Sequence, residues 1–435
     1  MKNKLLTFWK PFSLKQTTQF IRGVTFSKNM RQAFPAEDSV PIVTTKAAQE
    51  DGIDHTKLYF IPQKLIKRSE QILRTDDIII SIANSLELVG RVTPVRAEDA
   101  GLTWGAFLGV LRADSKFLFP RFLYLYLKYG KTKEFFKKNA KTTTNISNIS
   151  SDTILSCSIP IPPLPEQKRI VKKIEELFAV IDRKIKQLEQ TQQALIQYRQ
   201  SVLQQAFSGK LHKTTNWEQI SLKSCCLAVS KRKDSKDKTE HFLYLDIAAI
   251  DNQTNTISSS TPHTGEDAPS RARQIVKVGD ILFSTVRTYL KNIALITNVQ
   301  YDNQIASTGF CVIRPNSEMA LSKFIFYKTL SSDFLEPLNV KQRGSSYPAV
   351  RDSDVLNSTI ALPSLPEQKA IVAKIEKAFA GADKAQADIS AALRQAKQLK
   401  QSILKRAFEG KLVPQDPNDK PVDLSQLKPH KGKTK

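Results

Sequence analysis

Leu164-Pro165-Glu166-Gln167-Lys168 begins a run of 48 residues that ends at Leu211 and returns, without a gap, as Leu365-Pro366-Glu367-Gln368-Lys369 through Leu412. The copies are identical at 22 of the 48 positions, and both close on one pattern, Ala206-Phe207-x-Gly209-Lys210-Leu211 and Ala407-Phe408-x-Gly410-Lys411-Leu412. A repeat of this length constrains the architecture more than any short motif does. In the first copy apolar residues recur every seven positions at Ile174, Ile181, Leu188, Leu195 and Val202, widened by Leu177, Tyr198 and Leu203. That is a helix with a coiled-coil seam. The matching positions of the second copy are Ile375, Ala382, Ile389, Ala396 and Ile403, flanked by Ala378, Ala385, Ala392 and Leu399. Large side chains on one helix facing small ones on the other allow close approach, so the two are expected to pair as an intramolecular coiled coil, in either direction. Each helix should start at Pro165 or Pro366, whose missing N–H costs nothing there, with Glu166 or Glu367 at the positive helix end. Each should stop at Gly209 or Gly410, suited to a left-handed cap.

The segments before the helices form a second, more diverged repeat. Trp9-Lys10-Pro11-Phe12-Ser13-Leu14-Lys15 parallels Trp217-Glu218-Gln219-Ile220-Ser221-Leu222-Lys223, and Asp77-Ile78-Ile79-Ile80-Ser81 parallels Asp280-Ile281-Leu282-Phe283-Ser284. Val110-Leu111-Arg112 matches Val312-Ile313-Arg314. Ile78 to Ile82 and Ile293 to Ile296 read as strands, and Phe117 to Tyr129 and Leu321 to Leu330 as aromatic helices. The fold class is therefore α+β: two mixed α/β domains of about 150 residues alternating with two long helices. The boundaries fall at 1–160 for the first domain, 161–212 for the central helix, 213–361 for the second domain and 362–413 for the C-terminal helix. A flexible basic tail follows, 414–435. Scaffold positions repeat while the loops between them do not, so the two domains should bind similar objects of different sequence.

The net charge of +24 is spread along the chain, with +10 in residues 1–160, +4 in 161–212, +3 in 213–363 and +7 in 364–435. Such an excess attracts polyanions and favours counterion release on a phosphate backbone, which points to a nucleic-acid surface running along the molecule. No run approaches the roughly 18 consecutive apolar residues of a membrane span, and Lys10-Pro11 interrupts any leader, so a cytoplasmic protein without membrane partners is expected. Cys157, Cys225, Cys226 and Cys311 lack metal-ligand spacing and read as reduced thiols, and the five histidines are scattered. No metal site is expected. A glycine-rich cofactor turn, an Asn/Asp-Pro-Pro-aromatic loop and a phosphate-binding Gly-x-x-x-x-Gly-Lys-Ser/Thr are all missing from the sequence, so no self-contained catalytic centre is expected. Asp76-Asp77 reads as a turn before a strand.

The two Leu-Pro-Glu-Gln-Lys openings, the two Ala-Phe-x-Gly-Lys-Leu closings, the Gly279-Asp280-Ile281-Leu282 strand start and the tryptophan-bearing domain starts resemble the specificity subunit of Type I restriction-modification systems. The resemblance covers the chain to about residue 413, departing at Asp76-Asp77, where Gly-Asp is usual. It implies two target recognition domains, each reading one half of a bipartite asymmetric site on double-stranded DNA, with helices that space the halves and dock two methyltransferase subunits. It further implies two restriction subunits in the complete assembly. The chain itself would be non-catalytic and bind no cofactor. S-adenosylmethionine would belong to the methyltransferase, and ATP and Mg to the restriction subunit. About 40 helical residues reach roughly 60 Å. Laid antiparallel, such helices would put pseudo-two-fold related domains on half-sites about one helical turn, ~34 Å, apart.

Base readers should be polar loop residues and phosphate contacts the surrounding cations. In the first domain these are Arg91, Arg96, Lys141, Thr143, Thr144 and Asn145. In the second they are Arg271, Arg273, Arg287, Tyr289, Gln342, Arg343, Ser345 and Ser346. The stretches Lys141 to Ser147 and Gln342 to Pro348 hold equivalent places before the helices. Two other classes compete: a tandem-domain protein-binding scaffold, which steep salt dependence of DNA binding would exclude, and a diverged stand-alone DNA-modifying enzyme, which activity of the isolated chain would support.

Overall fold

The structure is a computed structural model that describes residues 9–143, 146–209, 217–232 and 239–423. The chain divides into two compact units, residues 1–187 with 392–435, and residues 188–391. Both divisions fall inside long helices, Leu164–Phe207 and Leu365–Phe408, each of 44 residues. The two helices pair antiparallel. In the first unit Asp182 meets Lys400, and in the second Arg199 meets Asp383, so seventeen residues up one helix is seventeen down the other.

All ten seam positions are buried or half-buried, with Ile174, Ile181, Ile375, Ala382, Ile389 and Ile403 below a tenth exposed. The stripe is narrower than the sequence suggests. Tyr198 and Leu399, expected to widen it, are 47% and 52% exposed. Both helices end where glycine permits a left-handed turn, Gly209 at φ 76° and Gly410 at φ 67°.

Each unit is built around one central strand that faces two cores. In the first unit Ile78–Ser81 is buried on both sides, Ile78 and Ile80 packing with Phe122, Ile174 and Phe408, and Ile79 with Trp104 and Val110. This is period-two alternation with apolar residues in both phases. Its sheet runs Thr18–Arg22, Leu108–Ala113, Ile78–Ser81, Val92–Pro94, all antiparallel. In the second unit Ile281 and Phe283 face the helix-side core and Leu282 the opposite one, beside Phe310 and Ala294. That strand, Ile281–Ser284, lies between Ile293–Leu295 and Phe310–Ile313.

The repeated motifs are the joints between domain and helix. Gln167 is fully buried; its Oε1 accepts from Phe119 N at 2.8 Å, and its Nε2 donates to Phe117 O and Pro162 O, both at 2.9 Å. Gln368 repeats this on Leu321 N, Met319 O and Pro363 O at 2.8, 2.9 and 2.9 Å. The closing motifs cross over: Phe408 of the second copy packs on Phe122, Tyr126 and Tyr129 of the first unit, and Phe207 of the first copy on Phe324 of the second. Lys10–Ser13 pairs with Ser158–Ile161, and Glu218–Ser221 with Thr359–Leu362, so the proline-rich leads are strands.

Three local expectations change. The aromatic helices are shorter, Pro120–Leu127 and Ser322–Thr329, each followed by a second helix, Gly130–Lys138 and Ser332–Val340. Glu367 does bond the helix start, accepting from Ser364 N and Oγ at 3.1 and 2.7 Å. Its counterpart cannot, because Pro163 replaces Ser364; Glu166 is instead buried and accepts from Trp9 Nε1 at 3.1 Å. Finally, the beginning of the expected flexible tail is pinned: Asp419 takes a two-pronged bond from Arg169 at 2.5 and 3.3 Å, and Val422 packs on the first-unit core.

Candidate nucleic-acid interface

The turn after each central strand carries the candidate surface. In the second unit the chain leaves Ser284 and meets two bulky residues in the left-handed region, Arg287 at φ 50° and Lys291 at φ 55°. Each costs roughly 1–2 kcal/mol, and strain of this kind is retained where a loop has work to do. Between them Tyr289 and Leu290 are exposed. Against this turn lies a hairpin closed by mutual Arg343 and Ala349 backbone bonds of 2.9 Å, with Gly344 at φ 98° making the corner. Arg287 ties the two together: its N–H donates to Pro348 O at 2.7 Å, its guanidinium to Ser346 O at 3.0 Å, and the same group lies 5.0 Å from the Tyr347 ring centre. Gln342 Nε2 donates to Thr288 Oγ1 at 2.6 Å and Asn339 Oδ1 at 3.1 Å, bracing the turn from below.

Six sequence-nominated residues, Arg287, Tyr289, Gln342, Arg343, Ser345 and Ser346, thus share one turn-and-hairpin surface. Arg271 and Arg273 lie apart from it. Arg271 directly precedes strand Ala272–Ile275, its carbonyl accepting from Thr308 N at 2.9 Å, and Arg273 Nε donates to Ser270 O at 3.0 Å.

The first unit repeats the frame. Lys141–Thr143 pairs with Ile146–Asn148, and the latter with Ala83–Asn84, just as Ala349 bridges Val286 in the second unit. Lys141 and Thr143 are exposed on this hairpin, whereas Thr144 and Asn145 lie outside the described residues. Arg91 closes the turn after the central strand, its O accepting from Ser81 N at 2.9 Å and its guanidinium donating to Thr45 O at 2.9 Å. Burial lowers its pKa, partly offset by Glu50. Arg96 is held elsewhere, donating to Asp51 O at 2.6 Å and lying 3.7 Å from Glu98.

Sequence reasoning passed over Tyr347 and Val340, which are 72% and 86% exposed at the second-unit hairpin and the end of its supporting helix. The signal for Tyr347 was present, an aromatic inside a small polar run. The acidic pair at Asp76-Asp77 is structural, as expected: Asp77 is buried and takes Arg112 Nε and Nη2 at 2.7 Å each, and Asp280 takes Arg314 in the same way at 2.8 and 2.7 Å. The four cysteines are unbridged, and burial pushes Cys157 up to about 12. Among the described residues no cluster of acidic, cysteine and histidine side chains could hold a metal, and no helix is long and apolar enough to cross a membrane.

The comparisons with known proteins agree with this duplicated frame. The chain is 28% identical over 434 residues to the Type I restriction enzyme StySPI specificity subunit of Salmonella potsdam, covering 95% of this chain and 91% of that one. It is 28% identical over 426 residues to the EcoKI specificity subunit of Escherichia coli strain K12, again covering 95% and 91%. Its fold resembles a chain from a structure concerning complex assembly and conformational transition of the type I R-M system, at 19% identity, coverage of 94% and 99%, and a TM-score of 0.69. The HsdS subunit from Thermoanaerobacter tengcongensis is similar at 19% identity, the same coverage, and a TM-score of 0.50. The family model for the Type I restriction modification DNA specificity domain matches twice, over residues 8–190 and 215–395, one match for each strand-and-hairpin frame, and the chain belongs to that family.

Proposed function

We propose that this chain is the sequence-reading subunit of a Type I restriction-modification complex, with each unit reading one half of a split, asymmetric DNA target. One observation carries the reading: two frames agree in their Asp–Arg pairs, glutamine joints and hairpins, yet present different side chains on those hairpins. A conserved mount with exchanged tips suits two readers of unlike sequences. Lys141 and Thr143 with the neighbouring Thr144 and Asn145 would read one half, and the Arg287–Tyr289 turn with Arg343, Ser345 and Ser346 the other. Arg91, Arg96, Arg271 and Arg273 would supply charge to phosphates or base edges nearby.

In this proposal the chain performs no chemistry in the cytoplasm where it acts. Its helices set the gap between half-sites and dock two methyltransferase subunits, which use S-adenosylmethionine; two restriction subunits using ATP and Mg complete the assembly. Purified alone with S-adenosylmethionine and DNA, the chain should transfer no methyl group. Mixed with its cognate methyltransferase, it should direct methylation to a split motif. Methyl transfer by the chain alone would overturn the proposal.

A further inference from the structure

We infer that an open cleft in the second unit, beside the turn-and-hairpin surface, also reads bases of that unit's half-site through Asp246, His263 and Asn292; this rests on the function proposed above. The cleft has a volume of about 750 Å³ and is lined by Tyr244, Asp246, His263, Arg271, Asn292 and Ser307 among others. Part of its wall is sheet, with Tyr244, His263 and Ser307 on strands His241–Leu245, Thr261–Thr264 and Ile305–Ser307, while Asp246 directly follows the first of these and Asn292 directly precedes strand Ile293–Leu295. Side chains mounted on a sheet hold their geometry against a ligand better than loop side chains do.

The hydrogen-bonding groups facing the cleft are left over after folding. Asp246 spends Oδ1 on Ala249 N at 3.0 Å, and its other oxygen has no partner among the described residues. The Asn292 amide and the Arg271 guanidinium make no side-chain bond among the described residues, although Asn292 O accepts from Ser284 N at 3.0 Å and so fixes the residue in place. His263 is oriented on three sides: Nδ1 lies 3.3 Å from Asp267, Phe242 stacks on the ring at 6.2 Å, and Tyr244 meets it edge-on at 5.8 Å. Its Nε2 is thereby left for a ligand. Together these groups offer an acceptor, a two-sided amide, an imidazole and a cation. That is the chemistry that tells base edges apart in the major groove.

The first unit provides the control. Ile42 and Val43 face Thr103 and Trp104 in parallel register, as Tyr244 and Leu245 face Ile305 and Ala306. By that register Thr44 stands where Asp246 does and Gly105 where Ser307 does, while Arg91 holds the bond to Ser81 that Asn292 holds to Ser284. Residues that hold the frame are the same in both units, as Gln167 and Gln368 are; these three differ in size, charge and hydrogen-bonding sense. They vary as readers of unlike sequences must.

Asp246 accepts only, so its oxygen selects an exocyclic amino group, adenine N6 or cytosine N4. Asn292 suits adenine, and Arg271 brings positive charge to the rim. The test uses the full chain assembled with its methyltransferase and reads the methylated motif by sequencing. Asp246→Asn keeps the side chain's size and its bond to Ala249 while adding a donor. It should relax discrimination at one position of one half-site by about 10- to 100-fold and leave the other half and the gap unchanged. Asn292→Ala should relax a different position of the same half. Competition by duplexes carrying single changes in that half reads the same preference in binding, which covers a variant too weak to methylate. Unchanged preference at every position in both variants would overturn the inference and leave the proposed function standing. A wild-type assembly that methylates no split motif would instead sink the proposed function.

Discussion

Asp76 shows how one residue absorbs a departure from the repeat. Gly279 turns the chain at φ 93° before the second central strand, and Asp76 does the same at φ 70°, a conformation aspartate tolerates better than most side chains. The Asp77–Arg112 pair follows unaltered, so the joint survives the change. Asp76→Gly should therefore leave stability unchanged or raise it by up to about 1 kcal/mol, whereas Gly279→Ala should lose about 1–2 kcal/mol, both measured by urea unfolding. Glu166 gives a prediction in pH. Burial raises its pKa above the ordinary 4.5, against the opposing bond from Trp9 and the charge of Arg169. The folded chain thus resists ionising this carboxyl more than the unfolded chain does, and stability falls as pH rises from 4.5 through the folded value. Glu166→Gln keeps an acceptor for Trp9 without the charge. Its melting temperature should equal or exceed that of the wild type at pH 7, with the gap closing below about pH 4. A lower melting temperature at pH 7 would show that the charge helps.

At the scale of the element, the long helices were legible because heptad spacing survives as a linear pattern, and Pro165, Pro366, Gly209 and Gly410 punctuate it. The purpose of Gln167 and Phe408 was not legible. Gln167 reaches backbone forty-eight and fifty residues away, and Phe408 packs on a domain almost three hundred residues earlier, so neither partner shows in local sequence. The second short helix of each unit, Gly130–Lys138 and Ser332–Val340, is not legible because Gly130 opens the one and Pro337 lies inside the other, residue types that ordinarily break a helix. The hairpin candidates could be named because small polar residues interrupt scaffold. Asp246, His263 and Asn292 could not, since one lies on a strand and two flank strands whose pairing with sequence-distant neighbours brings them to one cleft. Ile181 and Ile389 are 8% and 6% exposed in the paired region of the first and second units. Ile181→Asp with Ile389→Asp buries two carboxylates and should cost several kcal/mol, seen as a lower, less cooperative melt by circular dichroism. A wild-type melt would mean the pairing contributes nothing to the fold.

At the scale of the whole molecule, charge and duplication point the same way. An excess of +24 spread over every segment supplies sequence-independent attraction to a polyanion, which steep loss of DNA affinity with rising salt would register. Two frames with unlike tips then supply selection. Each long helix contributes to both compact units, its first half to one and its second half to the other, and the crossed packing of Phe207 and Phe408 makes each unit depend on both copies of the repeat. The domain exchange follows from that arrangement: a relative's first domain substituted for residues 1–160 should change one half of the recognised site and spare the other. The most direct measurement is sequencing of methylated adenines in DNA exposed to the chain with its methyltransferase, before and after that exchange. The account requires a split asymmetric motif of which the exchange rewrites one half while the gap stays fixed. A continuous motif, or an exchange that alters both halves together, would contradict it.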